Sequence, residues 1–160
     1  MCLPSETASQ PYSECLKILL NELSINYDAL GSTTLKNEKM TQGVEPDACF
    51  YIQNQAAIIG KNRINLSADP PPDLAIEIDL TSRTQLENYQ ILAVPELWRY
   101  GKQGLQINVL QAGKYVKSDF SPTFPDIPII ELVNQHVQQS QVVGSSQAIQ
   151  AFRNWVQDNI

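Results

Sequence analysis

The stretch "DPPPDLAIEIDLTSRT", residues 69–84, decides the reading of the fold. Its prolines lack the N–H that a helix interior or a central strand needs, so they mark an abrupt entry into residues 72–80. From there the residues alternate. A strand sends successive side chains to opposite faces. Leu74, Ile76, Ile78 and Leu80 fall on one face, and Asp73, Ala75, Glu77 and Asp79 on the other. The apolar face explains why the strand forms. The acidic face opposes it, because neighbouring like charges repel and raise one another's pKa. Solvent, basic partners or a divalent cation must compensate.

Immediately downstream, residues 82–94 have helical spacing. Ser82 can cap the helix, Leu86, Tyr89 and Leu92 or Ala93 form its apolar stripe, and Pro95 stops it. Residues 96–101 then read as another strand. Strand, helix and strand make a crossover unit, and strands in such units tend to be covered on both faces. That weighs against a solvent-facing acidic strand. Upstream, "EPDACFYIQN" (45–54) is a second strand opened by a Pro-Asp pair. Residues 27–37 also read as a strand, and 55–69 as a polar loop whose "AAIIG" can pack. Leu16, Leu19, Leu20 and Leu23 predict a helix over 13–27, with Ser13 as its cap. Residues 104–118 predict a hairpin turning at Ala112-Gly113, and helices follow near 129–140 and 146–158. The fold class is α/β (α+β), a mixed central sheet flanked by helices, in one domain spanning 1–160.

Composition bounds the function. The chain has 160 residues, 42% of them apolar and 18% charged, in the ordinary globular range. A net charge of −6 argues against tight nonspecific duplex binding, where a basic face supplies most of the affinity. It leaves room for an enzyme that meets nucleic acid locally or through metal ions. No stretch has the apolar length of a membrane span, and the start has no secretory pattern. Cys2, Cys15 and Cys49 form neither a zinc pattern nor a disulfide framework, so a reducing cytoplasm fits, with Cys15 and Cys49 as small buried hydrophobes.

Asp47 opens its predicted strand as Asp73 opens the acidic one, so Asp47 and Glu77 can sit side by side on neighbouring strands. Two converging carboxylates are what Mg²⁺ or Mn²⁺ asks for, with water and phosphate completing the shell. Trp98 and Tyr100 read as aromatic core or sheet edge rather than base-stacking platforms. His136, the one histidine, lies in a polar run and is expected on the surface. Trp155 shares a helical stripe with Ile149 and Phe152, the docking face of the last helix.

The run "EPDACFYI … PPDLAIEIDLTSRT … YQILAVPELWRY … GLQINVLQAGKYV … SPTFPDIPI" resembles the Uma-two family of restriction-endonuclease-like proteins, from about residue 12 to the end. The resemblance implies a PD-(D/E)XK nuclease fold and a metal-dependent endonuclease acting on DNA. It carries Asp47 and Glu77 over as metal ligands, joined by the Ile78 carbonyl, and Glu14 as an acid from the first helix. Asp79 stands where the signature puts lysine. In this family the lysine is commonly supplied four residues before a tyrosine of the next helix; Tyr89 sets that register, and the matching residue is Gln85. Gln85 can orient a water but carries no charge. Arg83, Lys36 and Lys39 are nearby cations that can stand in for it. The resemblance thus leaves open an active nuclease, whether monomer or homodimer, and a non-catalytic member that binds nucleic acid or a protein. A plain dimerisation module with a solvent-facing acidic strand is a third reading.

Overall fold

The computed structural model describes residues 5–31, 33–78 and 83–160, and of residues 5–9, 83 and 84 the backbone only. The elements run α1 (Ser5–Glu22), β1 (Asp28–Leu30), β2 (Ala48–Tyr51), β3 (Leu74–Ile78), α2 (Arg83–Leu92), β4 (Glu96–Gly101), β5 (Gly104–Gln111), β6 (Lys114–Ser118), α3 (Ile129–Val143) and α4 (Ser145–Asn159). The six strands form one sheet in sequence order. All neighbours are antiparallel except β3 and β4, which α2 joins as a parallel crossover. The expected α+β class is what the chain adopts.

Period-two alternation puts two cores on the two sheet faces. On one face Ala48, Phe50, Leu74, Ile76, Trp98 and Ile107 pack with α1, α3 and α4. On the other, Cys49, Ala75 and Leu97 pack with Tyr89 and Leu92 of α2 and with Leu35, Met40 and Val44 of the preceding loop. Burying a leucine- or phenylalanine-sized side chain contributes about 1.5–3 kcal/mol, so these rows hold the strands in register. Cys15 and Cys49 are buried free thiols, and burial pushes the Cys49 thiol up to about 12.

The first helix begins earlier than Ser13, continues through Pro11, and stops at Glu22 rather than Tyr27. Ser24 takes a left-handed conformation (φ 56°), and the Ile25 N–H reaches the Leu20 carbonyl at 2.8 Å, which ends the helix in a Schellman-type closure. Residues 27–37 do not make one long strand. Pairing is confined to β1, and Leu35 bridges Val44 instead, so the intervening chain folds back on itself. The hairpin turns at Ala112 (φ 51°) and Gly113 (φ 79°), the double positive φ of a type I′ turn.

His136 is buried at 3% exposure, against the surface placement its polar neighbours suggest. Its ring packs edge-on against Phe152 of α4 at 5.2 Å. The helix-helix contact covers one side of a run whose other side is polar.

Candidate active site

The site is built where β2 ends its partnership with β3. Ala48 pairs with Ile76, so Asp47, one residue earlier, stands opposite Glu77. The Asp47 N–H donates to the Ile76 carbonyl at 3.1 Å. The Ile78 N–H donates to Asp47 Oδ2 at 2.8 Å. The aspartate is therefore pinned by its own backbone and by the strand beside it. Glu77 projects to the α2 face and is 7% exposed. Its Oε1 accepts a short hydrogen bond from the Tyr89 hydroxyl. Burial raises the Glu77 carboxyl to about 7; the Tyr89 bond works against that rise and the Asp47 charge adds to it. Burial also drives the Tyr89 phenol well above its ordinary range, so it stays a donor. Asp47 thus faces Glu77 across the strand register, close enough for its charge to raise the Glu77 carboxyl, and a cation beside them would favour the ionised form of Glu77.

The three carboxylates of residues 72–80 have separate fates. Asp73 leaves the site altogether. Its Oδ2 accepts the backbone N–H groups of Ile52 and Asn54 at 2.6 and 3.0 Å, and its Oδ1 accepts the Asn54 side-chain amide at 3.1 Å. It anchors the loop after β2. Glu77 joins Asp47. Asp79, with Leu80 and Ser82, the expected helix cap, lies outside the described residues, as does Cys2.

Gln85 lies in the first turn of α2, exposed, four residues before Tyr89 and hence on the same side of that helix. It thus lies on the side of the helix whose Tyr89 reaches Glu77. Arg83 starts α2, and its side chain lies outside the description. Lys36 and Lys39 are exposed on the loop that closes at the Leu35–Val44 bridge. Glu14 belongs to α1, whose buried face packs on the opposite side of the sheet. Its carboxyl is raised by burial, with Lys17 as the countercharge, and nothing described joins it to Asp47 and Glu77.

Trp98 is fully buried and donates its Nε1–H to Glu96 at 2.7 Å, so it is core. Glu96 also accepts from Ser121 and Thr123. Tyr100 packs on Tyr12 with ring centroids 4.7 Å apart. Sequence reasoning missed two roles. Tyr89 serves as the holder of Glu77 as well as an apolar stripe residue, and Asp73 is a loop anchor. The one available signal for Tyr89 was a hydroxyl on an otherwise apolar helix face.

Among the described residues no three His, Cys, Asp or Glu side chains gather as a closed metal cage. Asp47 and Glu77 would offer a metal two hard oxygen ligands. That suits Mg²⁺ or Mn²⁺, which keep water and phosphate in their shells, and not a four-ligand structural zinc.

A family model described as "Putative restriction endonuclease" matches residues 12–138. The chain belongs to the Uma-two family. Among solved structures, it is similar to a crystal structure from Anabaena variabilis described as a "putative nuclease". The TM-score is 0.51 at 17% identity, over 78% of this chain and 76% of that one. That likeness concerns the fold, and it agrees with the mixed sheet and the crossover helix. No curated protein matches. Among the described residues no helix is long and apolar enough to cross a membrane.

Proposed function

We propose that this Uma-two protein is a divalent-metal-dependent endonuclease that hydrolyses DNA phosphodiester bonds in the cytoplasm, as a single nuclease-like domain. Asp47 and Glu77 hold Mg²⁺ or Mn²⁺, and Asp79 and Gln85 complete the reacting end of the site. The observation that carries this reading is the opposition of Asp47, just before β2, to Glu77 of β3, one pinned by the Ile78 N–H and the other by the Tyr89 hydroxyl. A divalent ion bound there supplies a water of lowered pKa and neutralises charge on the phosphate.

The chain's own residues do the rest. Glu77, whose carboxyl sits near pH 7 without metal, gives up its proton as an ion binds. Tyr89 fixes which way Oε1 faces. Gln85 orients the attacking water by hydrogen bonding and adds no positive charge. That substitution favours a second reading, in which the protein keeps the metal pair and binds nucleic acid or a protein with weak or no cleavage.

Calorimetry with Mn²⁺, run in two buffers of different ionisation enthalpy at pH 7, tests the proposal beside cleavage of supercoiled DNA. We expect one site, partial proton release on binding, and loss of both in Asp47→Asn. Metal binding that survives Asp47→Asn and Glu77→Gln together would overturn it. Metal binding without cleavage supports the second reading.

A further inference from the structure

The pairing register draws one polar row across four strands of the α2 face. Asp47 stands opposite Glu77, Glu77 is paired with Arg99, and Arg99 with Gln106. The row one step toward the α2 core is different. There Cys49, Ala75 and Leu97 are buried and apolar, and Asn108 is buried with its amide turned to the Leu97 carbonyl at 3.3 Å. A sheet face that is apolar in three of four positions of one row and polar in all four of the next has reached the edge of its core.

That edge lies at the carboxyl ends of β3 and β4, the parallel pair. Open sheets with parallel crossovers bind ligands in the crevice outside the carboxyl ends of their strands. Arg99 and Gln106 are half-buried there, open to solvent on one side. Paired strands lie about 4.8 Å apart, so the register sets Arg99 directly beside Glu77 on the same sheet face. Arginine is always charged and offers a planar fork that matches two phosphate oxygens. A row running from acid pair to arginine to amide gives a metal-and-phosphate site a direction across the sheet.

We propose that Arg99 is the phosphate-binding cation of this site, and that a nucleic-acid backbone crosses the sheet along Asp47, Glu77, Arg99 and Gln106. This rests on the reading of Asp47 and Glu77 as a metal pair for a phosphodiester, and it names the residue that meets the phosphate beside them. Arg99 clamps the phosphate and does not serve as base.

The test compares Arg99→Gln and Arg99→Lys with the wild type on a short DNA duplex. Ca²⁺ is present for binding and Mn²⁺ for cleavage. Binding is followed by fluorescence anisotropy across a salt series. Loss of one phosphate contact should weaken Arg99→Gln binding about equally for unrelated sequences and flatten the log–log salt slope by about 0.9. Arg99→Lys should keep the slope and lose the fork, so cleavage should fall at least several-fold while binding stays near wild type. Mn²⁺ affinity by calorimetry should be equal or higher in Arg99→Gln, since a positive neighbour is gone. A merely structural arginine would instead lower the melting temperature and Mn²⁺ affinity together and leave the salt slope of the folded fraction untouched, which would overturn the assignment. Cleavage and binding unchanged in Arg99→Gln would overturn it too, while leaving the metal-pair reading intact. DNA binding that depends on Arg99, with no cleavage by any form, would uphold the assignment and sink the catalytic reading.

Discussion

Replacing Glu77 with glutamine should make the metal-free protein more stable, and only above a certain pH. Glutamine keeps the size of the side chain and an oxygen for the Tyr89 hydroxyl, but it cannot ionise. In the folded protein the Glu77 carboxyl is raised from 4.5 to about 7. The sign follows from proton linkage. Below pH 4.5 folded and unfolded chains both hold the proton, and Glu77 adds no penalty. Between 4.5 and 7 the unfolded chain loses its proton while the folded chain keeps it, so stability falls as pH rises. Above 7 the penalty is complete. A rise of that size corresponds to about 3 kcal/mol at 1.36 kcal/mol per pKa unit. Water reaching the carboxyl head reduces this to about 2 kcal/mol. For a chain of this length that is a rise of roughly 4–8 °C in melting temperature for Glu77→Gln at pH 8, and near none at pH 4.5. Thermal unfolding at the two pH values, in chelator, measures it. Saturating Mn²⁺ should then stabilise the wild type and leave Glu77→Gln unmoved. A glutamine variant less stable than wild type at pH 8 would refute the reasoning, because Glu77 would then be an ionised structural partner rather than a carboxylate awaiting a cation.

Tyr89→Phe removes the donor that holds Oε1, so the Glu77 carboxyl should rise above about 7. Mn²⁺ affinity at neutral pH should fall several-fold and recover at pH 8.5, as read by calorimetry. Asp73→Ala deletes three hydrogen bonds to Ile52 and Asn54 and should cost about 2–4 kcal/mol in denaturant unfolding. Its Mn²⁺ affinity should stay at the wild-type value, since Asp73 is a loop anchor. Gln85→Lys puts a cation on the side of α2 that carries Tyr89. It should raise Mn²⁺-dependent cleavage at least about tenfold, roughly 1.4 kcal/mol of barrier, when compared at equal metal saturation. Robust wild-type cleavage that the lysine leaves unchanged would place the catalytic cation elsewhere.

Much of this protein is local and could be read from residue order. The period-two run that gives β3 (Leu74–Ile78), the helical stripe through Leu86 and Tyr89, and the Ala112-Gly113 turn are each written in the order of neighbouring residues, and each is present in the described residues. That Asp47 and Glu77 face one another could be read from the alternation of β3 and from the start of β2 one residue after Asp47. What alternation could not assign was partnership. Asp73 and Glu77 share one face in the sequence, yet Asp73 turns to a loop 19–21 residues away and Glu77 to a helix 12 residues away. His136 looked exposed because α4, arriving from the end of the chain, packs its Phe152 against it. Arg99 had no visible neighbour until β3 and β4 were set in parallel register, which placed it beside Glu77. Side-chain periodicity is fixed by backbone geometry and is carried by every segment of chain. Register between strands is fixed by how two apolar faces fill at once, and that is a property of the folded whole.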